Sequence, residues 1–548
     1  MKSIPQPVDS GIPTTPPLLK AVAWLSVAIL LVLLLWNSAT TNFWDDETMG
    51  YFLCLQPAAE TFHLMVNNVH EDPPLYEVVQ YPWIQVVGDN VGLLRLPSVV
   101  YFMLTVWGIY AAVRRLSTPS AAYVAVIVAC LMPYHWLMPM AMRWYSMTAC
   151  LAVWNFVAFL DLRTLRRADG NHRFGFATAR IEHPSSQTRA RWKPWLAYVL
   201  SGALLWYANY VAPAFFFSHL LISLASRNRT AIIRTLFVGW IAIGIAYLPW
   251  LPTLLRQIPL SSKLPGLVKN FVNIASSNWI LYAGELVTPS AWWFSFAFVV
   301  SALLAGAMLI RYFPTARKPL TVFLVVLLLM IIMRVIIPKR AMLISSFFAM
   351  SLGIVLYQSW ISADRKWRVI SRAFVALALI GIAGSAYHLV IRQNWAAYRW
   401  IDPFESVTAE IKQQHPQALI LTNSDSVLFY LGDRYGYLAR RGEIKVPTDE
   451  YRPPAVFFPF STVTRPVFDR DIPGRSEVAY VHHNGVSPYS TDRAELLKVL
   501  EERGFQLVSE EGFLPISAEF QKLHGVFREK TEDELDRFRV VVAKFKKK

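Results

Sequence analysis

Long apolar runs separated by short polar stretches dominate the first four hundred residues of this chain. Such runs occupy about 19–36, 91–113, 121–138, 144–160, 194–210, 212–226, 231–250, 291–310, 319–337, 341–360 and 373–391. Most approach the length at which an α-helix crosses ~30 Å of hydrocarbon. The pattern predicts about 11 transmembrane helices. Beyond residue 400 it changes. PFESVTAEIKQQHP has helical spacing, ALILTN and EVAYVHH read as strands, DRAELLKVLEERGF as an amphipathic helix running into QLVSEE, and FRVVVAKF as a closing strand. Short helices and strands in alternation predict a small α/β domain over 401–548. Residues 1–18, rich in Pro, Ser and Thr, read as a disordered tail.

Composition narrows the class. With 55% hydrophobic and only 16% charged residues, the chain is too apolar for a soluble globular protein. Its net charge of +16 raises nucleic acid as a partner, but the Lys and Arg residues sit in short clusters between apolar runs instead of forming a basic face. Membrane sidedness explains them better, and no nucleic-acid partner is expected. With the N-terminus inside, the basic loops at Arg114-Arg115, 161–193, Arg227 to Arg234, Arg311 to Lys318 and Arg365 to Arg372 all fall on the cytoplasmic side. The C-terminal domain then lies outside. A cleaved leader ending near Ser38-Ala39-Thr40 would have an unusually long apolar core, so the first run reads as a retained span. Cys54, Cys130 and Cys150 are isolated in apolar surroundings and read as packing residues.

The stretch from Asn42 to Pro97 inverts the charge. Asp45, Asp46, Glu47, Glu60, Glu71, Asp72, Glu77 and Asp89 fall in it, and no Lys or Arg occurs before Arg95. Topology puts this first loop outside, where Arg143 and Tyr145, the aromatic set Trp206, Tyr207 and Tyr210 with Asn209, and Lys339-Arg340 join it. The segment 251–289 is predicted to lie along the interface. A carboxylate there can take a proton from a hydroxyl, while cations hold an anionic head group. Plainer readings stand beside this one. The acids can be a solvated helix end, His70-Glu71-Asp72 a turn before Pro73-Pro74, Lys339-Arg340 an interface anchor, the aromatics an interfacial belt, and Arg95 a partner of Asp89.

The runs FWDDE, VHEDPPLYEVV and VGLLRLPSVV, with AMRWYSM and PKRAMLISSFFAM further on, resemble the GT-C membrane glycosyltransferases, in the branch of the protein O-mannosyltransferases and lipid A aminoarabinose transferases. The resemblance covers about 19–400. It implies a polyprenyl-phosphate-linked sugar as donor, a glycan, lipid or protein acceptor, inversion at the sugar carbon, and an acidic base after the first span. Carried over, that base is Asp46, with Asp45 its rival and Glu47 beside them. In the lipid A branch a Lys precedes the proline and contacts phosphate, whereas this chain has Asp72. Phosphate contacts then fall to Arg95, Arg143, Tyr145, Lys339 and Arg340, or to a divalent metal on His70, Glu71 and Asp72. The expectation is an inner-membrane glycosyltransferase acting at the outer face. A lipid-linked-sugar flippase and an envelope assembly protein are the alternatives, although no internal repeat is evident and the charges gather at one surface.

Overall fold

A computed structural model describes residues 15–43, 45–55, 57–66, 73–171, 184–226, 228–257, 312–333, 342–362, 364–390, 404–414, 418–422, 429–430, 474–483, 498, 500–513 and 540–547. The predicted run 291–310, the interfacial stretch beyond Gln257, and most of the N-terminal tail lie outside them. Each remaining apolar run falls on helix: α1 (Pro17–Thr40), α5 (Val91–Leu94) with α6 (Leu96–Leu116), α7 (Pro119–Leu131), α8 (Tyr145–Asn171), α9 (Pro184–Ala208), α10 (Ala212–Leu224), α11 (Arg229–Tyr247), α13 (Arg317–Ile332), α14 (Met342–Trp360) and α15 (Arg365–Val390). The first loop contributes α2 (Asp45–Leu55), α3 (Ala58–Val66) and α4 (Leu75–Val87), and α12 (Leu251–Gln257) follows α11.

Among the described residues, Pro17–Thr40, Val91–Leu116, Tyr145–Thr164, Arg229–Arg256 and Met342–Trp360 are long and apolar enough to cross a membrane. Pro119–Leu131 and Ala212–Leu224 are shorter apolar helices. This is a multi-pass membrane protein of mainly helical fold. The run 121–138 makes less helix than its hydropathy suggests, because Met132 precedes Pro133 and takes extended backbone (φ −68°, ψ 118°). Two 3₁₀ turns, Pro133–Trp136 and Met138–Met140, replace the missing turns of helix. Similarly, the run 91–113 is broken at Arg95, which stands between α5 and a new helix start with Pro97 in its first turn.

Apolar residues face both inward and outward, as lipid permits. In α1, Leu18, Trp24, Leu25, Ile29 and Val32 are exposed, while Leu30 and Leu34 pack inward. Between helices, small side chains allow close approach, which matters where water supplies no hydrophobic drive. α7 packs closely on α14. A Cβ added at Gly353 would overlap the Ala125 backbone, so only glycine fits the crossing.

The C-terminal part contains α16 (Phe404–Gln414) and a four-stranded sheet of order β1-β2-β4-β3, with β1 (Leu419–Thr422), β2 (Glu477–His483), β3 (Phe505–Phe513) and β4 (Val540–Lys547). β1 pairs parallel with β2, and the other pairs are antiparallel. The strand-like runs of the sequence fall on these strands. Val407 and Ile411 sit one helical turn apart on α16 and pack with Ala479, Val481, Val540 and Val542 of the sheet as a second, smaller core.

Gly353→Ala is expected to lower stability by about 1–3 kcal/mol through overpacking, whereas Gly244→Ala in α11, whose new methyl meets nothing within 4 Å, should leave it unchanged or raise it by up to about 1 kcal/mol through helix propensity. Thermal unfolding of the two purified variants in one detergent checks this. Equal stability of both would mean that α7 and α14 stand further apart than described.

Candidate active site

α1 ends at Thr40, and like any helix it leaves its last carbonyls without partners inside the helix. A cation from elsewhere in the chain takes them. Arg95, at the α5–α6 junction, sends Nη1 to the carbonyls of Ser38 (3.2 Å) and Thr41 (3.0 Å) and to Thr41 Oγ1 (2.9 Å). Its Nη2 donates to the Asn42 carbonyl at 2.6 Å. Positive charge at a helix C-terminus is favoured by the helix dipole as well as by the hydrogen bonds.

The other side of the guanidinium meets Glu47 in the first turn of α2. Arg95 Nε donates to Glu47 Oε1 at 2.8 Å and Nη2 to Oε2 at 2.6 Å, a two-pronged ion pair with both side chains fully buried. The acids at 45–47 start α2 for the complementary reason, since its N-terminal end is positive. Glu47 Oε1 also accepts from the Met142 amide at 2.7 Å, which draws in the turn before α8. One buried pair thus ties together the end of α1, the start of α2, the start of α6 and the 141–144 turn.

Arg143 follows Met142 in that turn and is 9% exposed. Tyr145 opens α8, buried, with its ring 4.4 Å from that of Trp144. The turn is held by Ser146 Oγ donating to the Pro139 carbonyl at 2.8 Å, and His135 fixes its other limb. Ala129 has only a carbonyl to offer at 2.7 Å, so His135 Nδ1 carries the hydrogen and Nε2 faces Ser345 Oγ of α14, also at 2.7 Å.

The helices of the first loop close against α6. The Tyr76 hydroxyl and Ser98 Oγ share a hydrogen bond of 3.1 Å, and Gln80 Nε2 donates to the Leu94 carbonyl at 2.9 Å. Burial pushes the Tyr76 hydroxyl well above its usual range; the hydrogen bond from Ser98 and the charge of Arg143 act against that, and the carboxylates of Glu77 and Glu47 act with it. Glu47, Glu77 and Arg143 are therefore electrostatic neighbours of one phenol. Cys54 lies in the same layer, its thiol also raised by burial and by Glu77.

Sequence-predicted residues fare unequally. Arg95, expected to hold phosphate, is 0% exposed, and its five N–H groups are all taken by protein oxygens. It is a clamp, with no donor left for a ligand and no contact with the exposed Asp89 needed to satisfy it. Glu47 is likewise committed to Arg95 and Met142, so its carboxylate positions the acid turn. Asp45 and Asp46 fall in the first turn of α2. Arg143 and Tyr145 stand at the clamp. His70, Glu71, Asp72, Lys339 and Arg340 lie outside the described residues. The aromatic set packs on the end of α11 and the turn after it: Trp206 stacks on Tyr247 at 4.8 Å, Tyr207 donates to the Ala246 carbonyl, and Tyr210 Oη accepts from Trp250.

Glu77 received no role from sequence, yet it is 2% exposed. The signal was available in the helical period of α4, which puts Glu77, Gln80 and Ile84 on one stripe together with buried Tyr76. An acid on the inward stripe of an amphipathic helix is rarely there for solubility alone.

Replacing Glu47 by Gln leaves the Arg95 guanidinium buried with its charge uncompensated and should cost about 3–5 kcal/mol. Unfolding of Glu47→Gln, Arg95→Met and the double variant in one detergent checks the coupling. The double variant should lose less than the two single losses combined; strict additivity would show that the pair is not an interacting unit.

No family model matches the chain, and no curated relative matches it either. Solved structures do. The apo structure of ArnT from Cupriavidus metallidurans aligns over 96% of this chain and 98% of its own length, with 13% identity and a TM-score of 0.51. The same protein bound to undecaprenyl phosphate aligns over 95% and 98%, with 14% identity and a TM-score of 0.51. A weaker likeness is to the Archaeoglobus fulgidus oligosaccharyltransferase carrying a tethered acceptor peptide, over 84% and 69%, with 12% identity and a TM-score of 0.42. Over nearly the whole of its length, the chain is similar in fold to ArnT.

Proposed function

We propose that the protein is a GT-C glycosyltransferase that moves a sugar from a polyprenyl-phosphate donor to an acceptor hydroxyl. The observation that carries this reading is the 2.7 Å bond from the Met142 amide to Glu47, because it joins the Asp45-Asp46 turn to the turn bearing Arg143. An acid pair and a cation brought together by a buried clamp suit a reaction that removes a proton from one oxygen and leaves charge on another. The fold shared with ArnT, one of whose structures holds undecaprenyl phosphate, supports the donor class.

The chemistry follows from those groups. Asp46 accepts the proton of the acceptor hydroxyl as its oxygen attacks the anomeric carbon from the face opposite the phosphate. The bond between that carbon and the phosphate oxygen breaks with inversion, and the electron pair leaves on the polyprenyl phosphate, where Arg143 offsets the charge. A phosphate is a stable leaving anion, so a single carboxylate base suffices. On this reading the N-terminus is cytoplasmic, the eleven apolar runs all span the inner membrane, and the first loop and the C-terminal sheet lie outside, where no nucleotide sugar is available.

Transfer in membranes from radiolabelled polyprenyl-phosphate sugars tests the assignment. Asp46→Asn should lower kcat about 10²–10⁴-fold, the usual contribution of a general base. Asp45→Asn should retain most activity, and Arg143→Ala should weaken donor use more than Arg143→Lys does. If both Asp variants transfer at the wild-type rate, the acid turn is not the base. Movement of labelled donor across the bilayer without transfer would favour a flippase.

A further inference from the structure

Phe429 and Tyr430 stand between β1 and β2 in sequence, yet they meet the first loop. Among the described residues, Tyr430 is the one side chain that packs on both hydrophobic cores, that of the helix bundle and that of the C-terminal sheet. Its hydroxyl oxygen accepts from the Phe43 amide at 2.6 Å. The Phe429 ring lies 4.7 Å from Phe43 and 5.1 Å from Tyr51.

The Phe43 amide lies in the non-helical link between α1 and α2, so neither helix ladder supplies its acceptor. Phe43 itself is fully buried, and a buried N–H must find an oxygen. Tyr430 supplies it. On its other contacts, the Phe43 ring lies 5.6 Å from the Arg95 guanidinium. A continuous path therefore runs from the sheet core through Tyr430 and Phe43 to Arg95, Glu47 and the Met142 turn. Asp45 and Asp46 begin α2 just beyond Phe43 along the chain, so whatever fixes Phe43 fixes the direction in which α2 begins.

We propose that Phe429 and Tyr430 are positioning residues that make docking of the C-terminal sheet a condition for holding the Asp45-Asp46 turn in its working orientation. The catalytic half of this proposal rests on the glycosyl-transfer reading above; the structural half does not. Both aromatics act through Phe43 and touch no reacting atom. They follow β1 in sequence, so the proposal gives the C-terminal part of the chain a task at the site.

Full-length protein in detergent provides the test, with Tyr430→Phe removing only the hydroxyl, Phe429→Leu removing the ring, and Phe429→Tyr keeping it. Hydrogen exchange at the Phe43 amide should be about tenfold faster in Tyr430→Phe, the loss of one buried hydrogen bond. Transfer by Tyr430→Phe and Phe429→Leu should fall about 5–30-fold in kcat with donor KM within about twofold of wild type, as a misdirected base predicts; Phe429→Tyr should keep the wild-type rate. Unchanged exchange and unchanged kcat in Tyr430→Phe would overturn the proposal, as would a rise in donor KM that accounts for the whole defect. Should the wild-type protein transfer no sugar, the glycosyl-transfer reading fails, and the exchange at Phe43 still decides whether the two parts are coupled.

Discussion

A buried guanidinium constrains everything around it, because each of its five hydrogens must reach an oxygen and its charge must meet another. Here those demands are met by the frayed end of α1, the link that follows, and Glu47 at the start of α2. The arrangement satisfies two helix ends with one ion pair: cationic charge where α1 is negative, anionic charge where α2 is positive. Removing either partner alone is costly because the other is then stranded, so the pair behaves as a single structural unit. The bond from Met142 extends that unit to the turn before α8. The clamp is thus spent on the fold, and the chemistry is proposed for its neighbours.

This division explains why charged residues that look alike in sequence differ in use. Arg95 and Arg143 both interrupt apolar sequence close to the acidic loop. Arg95 is surrounded by carbonyls and is spent on the protein. Arg143 is placed by the backbone of the clamped turn, within electrostatic reach of Tyr76, and carries the proposed contact with donor phosphate. Glu47 is spent as Arg95 is, on the guanidinium and the Met142 amide, and Asp46 is the proposed base.

Much of the architecture was legible because it depends on local patterns. Apolar runs gave the helices, the base-free loop marked the acidic end, and alternating segments after residue 400 fell on strands. Proline at 133 cut α7 short by a rule that hydropathy does not contain. The site was legible only as a neighbourhood. Arg95 could be seen to be unusual, but three of its acceptors are backbone carbonyls 53 to 57 residues away in sequence, and carbonyls carry no signature. Tyr430 was invisible for the same reason, its partner being an amide 387 residues away in sequence. Glu77 could have been found from the stripe it shares with Gln80 and Ile84, had the loop been read as helix first.

The Glu47–Arg95 pair serves as scaffold, and Arg143 is the proposed contact for the phosphate. A structure of the protein in nanodiscs with a bound polyprenyl phosphate tests this most directly. Density for the phosphate is expected beside Arg143, with Arg95 still paired to both oxygens of Glu47. A phosphate held by Arg95, with the ion pair opened to receive it, would overturn the assignment.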